Sequence, residues 1–191
     1  MNEYKSISSI NVNIFNGEVV KVLPITESGY NEAKIIKIPQ VMSALIGNEY
    51  ERRPVLQAFY QELDSVFKEL KRDRKKRNGS VIFKALSTEI NELSKSKADR
   101  KILIVNSDLM ENSFLDFTNA EMIENIKNNP NVVEKMMTDK YPLNDLTGIS
   151  VNIVYIPLNK TDSERFEVVS NLYNHMLSSR GAMVKISGNL N

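Results

Sequence analysis

Lys101-Ile102-Leu103-Ile104-Val105-Asn106-Ser107-Asp108 decides the fold. A short continuous apolar run, entered from a polar turn and left through Asn106-Ser107-Asp108, reads as a strand covered on both faces, the kind found in parallel sheets between helices. Helical patterns flank it. Upstream, Asn78-Gly79-Ser80 breaks the chain, and Ile82, Ala85, Leu86, Ile90 and Leu93 recur on one helix face, with Ser80 as its N-cap. Downstream, Asn119–Ile126 and Pro130–Met137 read as two short helices, the second capped by Asn129 with Pro130 at its first position. A second apolar strand, Ile149–Ile156, is closed by Pro157. Thr161-Asp162-Ser163-Glu164 has capping-box spacing and opens a helix that runs to Ser179. Its buried stripe is Phe166, Val169, Leu172, Tyr173, Met176 and Leu177, and Gly181 supplies the left-handed residue that stops it before a last strand, Ala182–Ile186.

The amino-terminal part has a different rhythm. Ile7–Phe15 alternates apolar and polar, Asn16-Gly17 follows, and Glu18–Leu23 alternates again, which predicts a β-hairpin around the Asn-Gly turn. Ala33–Ile38 reads as a short strand stopped by Pro39. From Pro54 to about Lys75, Val55, Phe59, Leu63, Val66, Phe67 and Leu70 recur three and four apart, a helix with Pro54 in its first turn. The sum is an α/β chain: a three-layer sandwich with a mostly parallel central sheet, helices on both faces, and an antiparallel N-terminal hairpin at one edge. One domain over residues 1–191 is expected from the length.

Composition removes several functions. The 191 residues carry 25 Lys+Arg against 24 Asp+Glu, with 41% hydrophobic and 26% charged residues, ordinary values for a folded domain. With no cysteine, disulfide frameworks, thiolate metal sites and cysteine nucleophiles are excluded. The single histidine, His175, has no second histidine for a metal pair and reads as a structural residue near a helix end. No secretory leader and no membrane-length apolar run is present, so a cytoplasmic protein, or a mature exported domain, is the expectation, without a membrane partner.

Chemistry concentrates after the deciding strand. In open parallel sheets ligands gather outside the carboxyl ends of the strands. The loop there, Ser107-Asp108-Leu109-Met110-Glu111-Asn112-Ser113, offers carboxylates, hydroxyls and an amide, hard oxygen donors of the kind Mg²⁺ or Ca²⁺ takes. Residues 106–148 carry eight acidic and three basic side chains, a field that favours a cation. Polar loops at strand ends are also often no more than solvated chain.

The turn Asn78-Gly79-Ser80 opening a helix, the buried strand running into Ser107-Asp108, the later strand Ile149–Pro157, the helix Ser163–Ser179 and the closing Gly181-Ala182-Met183-Val184-Lys185-Ile186 together resemble a von Willebrand factor A-type domain. That resemblance implies a metal-ion-dependent adhesion site, with Ser80 matching its middle hydroxyl and Asp108 its last carboxylate. The family's D-x-S-x-S element has no counterpart: Ser6-Ile7-Ser8 has the serine spacing, but Tyr4 stands where the carboxylate belongs. The usual first strand, normally central, is not found with it: either another segment, Ala33–Ile38 for instance, fills its place, or the natural protein has more chain upstream. Two expected ligands therefore remain.

The implied function is protein binding through the rim formed by Ser80, Ser107, Asp108 and Glu111, bridged by Mg²⁺ or another divalent cation. The alternative is a nucleic-acid-associated protein using Lys71, Arg72, Arg74, Lys75, Lys76 and Arg77, six cations in seven residues that could neutralise phosphates. No aromatic residue interleaves that run to stack bases. A catalytic role is not expected: there is no G-x-S-x-G elbow, phosphate loop, G-x-G-x-x-G or H-E-x-x-H, although Asp108 with Glu111 could form an acid/base pair if they converged.

Overall fold

Alternation at the start and apolar runs further on produce two kinds of sheet. In the computed structural model, which describes residues 19–26, 32–38, 49–72 and 79–188, these sheets belong to two compact units. Residues 19–24, 32–38 and 49–72 form the first unit; residues 25–26 and 79–188 form the second.

In the first unit, Val19–Val22 (β1) pairs antiparallel with Lys34–Lys37 (β2), in the register Val19↔Lys37 to Val22↔Lys34. The strand after Asn16-Gly17 therefore exists, and its partner is the strand read at Ala33–Ile38. Ile7–Phe15 and the Asn16-Gly17 turn lie outside the described residues. Period-2 alternation turns Val20, Val22, Ile36 and Ile38 to one side, where they pack with Phe59, Leu63 and Val66 of Glu49–Arg72 (α1). The helix starts five residues before Pro54, so the proline lies inside it rather than in its first turn. So close to the amino end, a missing N–H removes only one intrahelical bond.

The second unit holds a three-stranded parallel sheet, order β3-β4-β5: Lys101–Asn106, Ile149–Val154 and Met183–Ser187. Lys101↔Ile149 to Asn106↔Val154 and Ser150↔Met183 to Val154↔Ser187 set the register. Ile82–Lys95 (α2) precedes β3, Ala120–Asn128 (α3) and Pro130–Lys140 (α4) lie between β3 and β4, and Lys160–Ser178 (α5) links β4 to β5. The protein is thus α/β, with five helices, a parallel sheet and a separate two-stranded antiparallel one among the described residues.

β4 is the strand with both faces covered: Ile149, Val151 and Ile153 are sealed on one face and Asn152 is buried on the other. β3, expected to be covered in the same way, is only half-buried over residues 101–104, because it ends the sheet order instead of standing inside it. A continuous core joins Phe83, Leu86 and Ile90 of α2 to the strands, to Phe117, Ile123, Ile126, Val133 and Met137, and to the expected stripe of α5.

Several caps differ from the sequence reading. The N-cap of α2 is Val81, without a side-chain bond, rather than Ser80. α5 starts at Lys160, where Asn159 accepts from the Asp162 amide at 3.0 Å; Thr161 already lies inside the helix. Asn119, read as the first residue of α3, is its N-cap and accepts from the Glu121 amide at 2.8 Å; Asn129 is the N-cap of α4 as expected, ahead of Pro130, but it makes no side-chain cap bond and turns its amide to Asn125. The stop of α5 is as expected: Gly181 has φ +94°, with Gly181 N–H to Ser178 O and Ala182 N–H to Leu177 O.

Among the described residues no helix is long and apolar enough to cross a membrane.

Candidate functional site

The loop after β3 is built by its own short side chains. Ser107 Oγ accepts from the Leu109 amide at 3.0 Å, and Asp108 Oδ1 accepts from the Met110 amide at 3.0 Å. These Asx- and Ser-type turns let Leu109 take a left-handed backbone, φ +62°, while its side chain is completely buried. Beyond it, Asn112 exchanges backbone bonds with Ser80, at 3.2 and 3.0 Å. Gly79 permits that approach, since a Cβ there would sit 2.8 Å from the Asn112 carbonyl oxygen. The turn opening α2 and the loop after β3 are therefore joined.

Glu111 completes the join. Its side chain has no exposed surface, its Oε2 accepts from the Phe83 amide at 2.7 Å, and its Oε1 accepts from the Ser113 hydroxyl. The first N–H groups of a helix have no intrahelical acceptor, and α2 has neither a capping side chain nor an acidic residue in its first turn. Glu111 supplies the carboxylate from another loop. Burial pushes its carboxyl above the usual range, opposed by the Ser113 hydroxyl, the Phe83 and Ile82 amides and the Lys140 charge. Glu111 is thus a fastening group, with its oxygens turned away from solvent.

The carboxyl end of β4 makes the other wall. Tyr155 donates to Asp162 Oδ2 at 2.8 Å, and the Leu158 amide donates to the same oxygen at 2.7 Å, so one carboxylate ties the loop after β4 to the first turn of α5. Burial first, then the bond to Asp162 and the charges of Asp162 and Asp108, push the Tyr155 phenol up to about 12. Between the walls lies an open cleft of about 570 Å³ lined by Met110, Thr118, Asn159, Lys160, Thr161, Asp162 and Arg165. Beside it Ile156 and Leu158 project into solvent, 69% and 87% exposed.

The sequence-predicted groups divide as follows. Ser80, Ser107, Asp108 and Glu111 all belong to this end of the sheet, joined through the Ser80–Asn112 bridge. Ser107 and Asp108 each hold a backbone amide through one oxygen, both Glu111 oxygens are engaged in the core, and no group of three His, Asp or Glu able to hold a metal is found among the described residues. Of the basic run, Lys71 and Arg72 end α1, and residues 73–77 lie outside the described residues. His175 bonds through Nδ1 to Glu134 Oε2 at 2.9 Å, linking α5 to α4.

Sequence reasoning missed the α5 side of the cleft: Lys160, Arg165 and the Tyr155–Asp162 pair. Asn159 followed three residues later by Asp162 is itself a capping signal, and it would have moved the helix start onto the cleft. Compared with family models, curated proteins and solved structures, the chain matches none.

Proposed function

We propose that the second unit is a von Willebrand A-like interaction module that binds a protein partner at the carboxyl ends of β3 and β4. One observation carries the reading: the cleft between the loop after β3 and the start of α5, with the exposed Ile156 and Leu158 at its side. Crevices at this end of a parallel sheet are where such folds bind. Exposed aliphatic side chains beside polar ones are the composition of an interface. The reading carries with it a three-layer arrangement, with helices on both faces of the parallel sheet.

A bridging Mg²⁺ or other divalent cation belongs to the resemblance. The reading does not depend on it: the binding surface is assigned to protein groups, Arg165, Lys160, Thr161, Ile156 and Leu158.

The test is selection of peptides from a random displayed library on the whole chain, with and without Mg²⁺, repeated on Leu158→Asp and on Arg165→Glu. Peptides that bind the wild type and are lost on both variants support the reading. No selected peptide, or selection that both variants retain, removes it. Calorimetric titration with Mg²⁺, Mn²⁺ and Ca²⁺ tests the cation separately: heat that disappears in Asp108→Ala would restore it.

A further inference from the structure

β3 closes the sheet with an unusual outer edge. It has one ladder partner, β4, and no strand on its other side among the described residues. Its sequence, Lys101-Ile102-Leu103-Ile104-Val105-Asn106, has four apolar residues in a row with no proline or charge among them. Ile102, Leu103 and Ile104 remain only half-buried. Natural proteins blunt open edges with charges, prolines or bulges, and all-apolar strands in parallel sheets belong inside them. β5, at the opposite end, carries Lys185 in its middle. Past Lys101 at its start, the β3 edge has no such device.

Charge along the strand selects what pairs with it. Lys97, Arg100 and Lys101 stand at the amino end against Asp99 alone, whereas Asp108 and Asp116 follow the carboxyl end with no cation between 102 and 118, the buried Glu111 aside. A strand of the same kind laid alongside in parallel would set like charge beside like. Laid antiparallel, it sets the basic end of one copy beside the acidic end of the other, twice over.

We propose that β3 pairs antiparallel with β3 of a second copy about a two-fold axis, giving a continuous six-stranded sheet. An isologous contact of this type satisfies both edges with one surface. It adds backbone hydrogen bonds in the manner of strand addition, with side-chain burial on both faces. The proposal rests on the sheet order and the charge pattern, and it is independent of what binds at the cleft.

The absence of cysteine makes the test clean. Ile102→Cys, Leu103→Cys and Ile104→Cys, made singly, place one thiol in each chain. Residues opposite each other in an antiparallel pair lie roughly 4.5–5.5 Å apart at Cα, within disulfide reach. Cross-linking should therefore peak at the position on the axis and fall away from it. Sedimentation of the wild type over a concentration series should show a reversible dimer, weakened about tenfold by Lys97→Glu with Arg100→Glu, and weaker in high salt. These exposed charges are away from the core, so the charge variant reads the contact even if a cysteine variant misfolds. A chain that stays monomeric to about 100 μM, equal cross-linking at all three positions, or a dimer that ignores the charge reversal would overturn the proposal.

Discussion

Glu111 Oε2 accepts a 2.7 Å hydrogen bond from the amide of Phe83, twenty-eight positions earlier in the chain. The loop at the carboxyl end of β3 thereby caps α2, a task that Ser80 was expected to perform from within its own segment. A polar side chain without exposed surface is tolerated when its hydrogen-bonding capacity is filled. Here a backbone amide and the Ser113 hydroxyl fill it.

Removing that carboxylate strands the amide. Glu111→Ala should destabilise the chain by about 1–3 kcal/mol, the cost of an unsatisfied buried donor, whereas Glu111→Gln, which keeps an acceptor, should lose less. Urea unfolding of the three proteins checks the order.

The raised carboxyl also sets a pH dependence. The folded state holds the Glu111 proton more tightly than the unfolded state does. The associated stability is fully present below the ordinary value of 4.5 and is lost as pH rises through the folded value. Measured against Glu111→Gln, wild-type stability should therefore fall across that window and then level off. A difference that does not change with pH would contradict it.

Tyr173 is fully buried, and its hydroxyl has no hydrogen-bond partner. Burial, with the charges of Glu111 and Asp108, pushes its phenol well above the usual tyrosine value. Tyr173→Phe keeps the ring packed edge-on to Phe83 and removes the orphan oxygen. It should raise stability by about 1 kcal/mol, roughly 2–4 °C in Tm for a chain of this size. A lower Tm would mean that the hydroxyl has a task the packing alone does not show.

Tyr155 should remain protonated well past the ordinary tyrosine range, with its phenol near 12, and Asp162→Asn should bring its titration down. Carbon-13 NMR of the tyrosine rings to about pH 11 separates it, together with the buried Tyr173, from phenols in the ordinary range. Asp162→Ala, which leaves the Leu158 amide no side-chain acceptor, should give faster amide exchange in the exposed loop beside the cleft.

Gly79→Ala tests the join between the two loops. The added methyl meets a backbone oxygen, which cannot rotate away, and the expected cost is about 1–3 kcal/mol. Calorimetric melting reads it directly.

Much of the second unit was legible because its signals are local. Four apolar residues before a polar turn, a proline at a first helical position, and a glycine four residues past a helical stripe each act within a few positions. Hydrophobic period located α5 and its buried stripe to within a residue at each end. What escaped the sequence is set by partners far along the chain. Ser80 and Val81 cannot be ranked as caps without knowing that Glu111 arrives from another loop. Nor does an apolar run say whether a strand is flanked on one side or two: β3 and β4 read alike, and only the sheet order separates them. The site was half legible for the same reason. Asp108 stands at the strand end as expected, but its oxygen is used by Met110, and a commitment of that kind has no signature in composition.

Leu109 carries a consequence of its own. A branched residue in left-handed backbone stores strain of about 1–2 kcal/mol, and the fully sealed side chain is what holds it there. A substitution that loosens the hydrophobic seat around Leu109 should therefore let this backbone relax and reshape the rim above it, with the strands left in place.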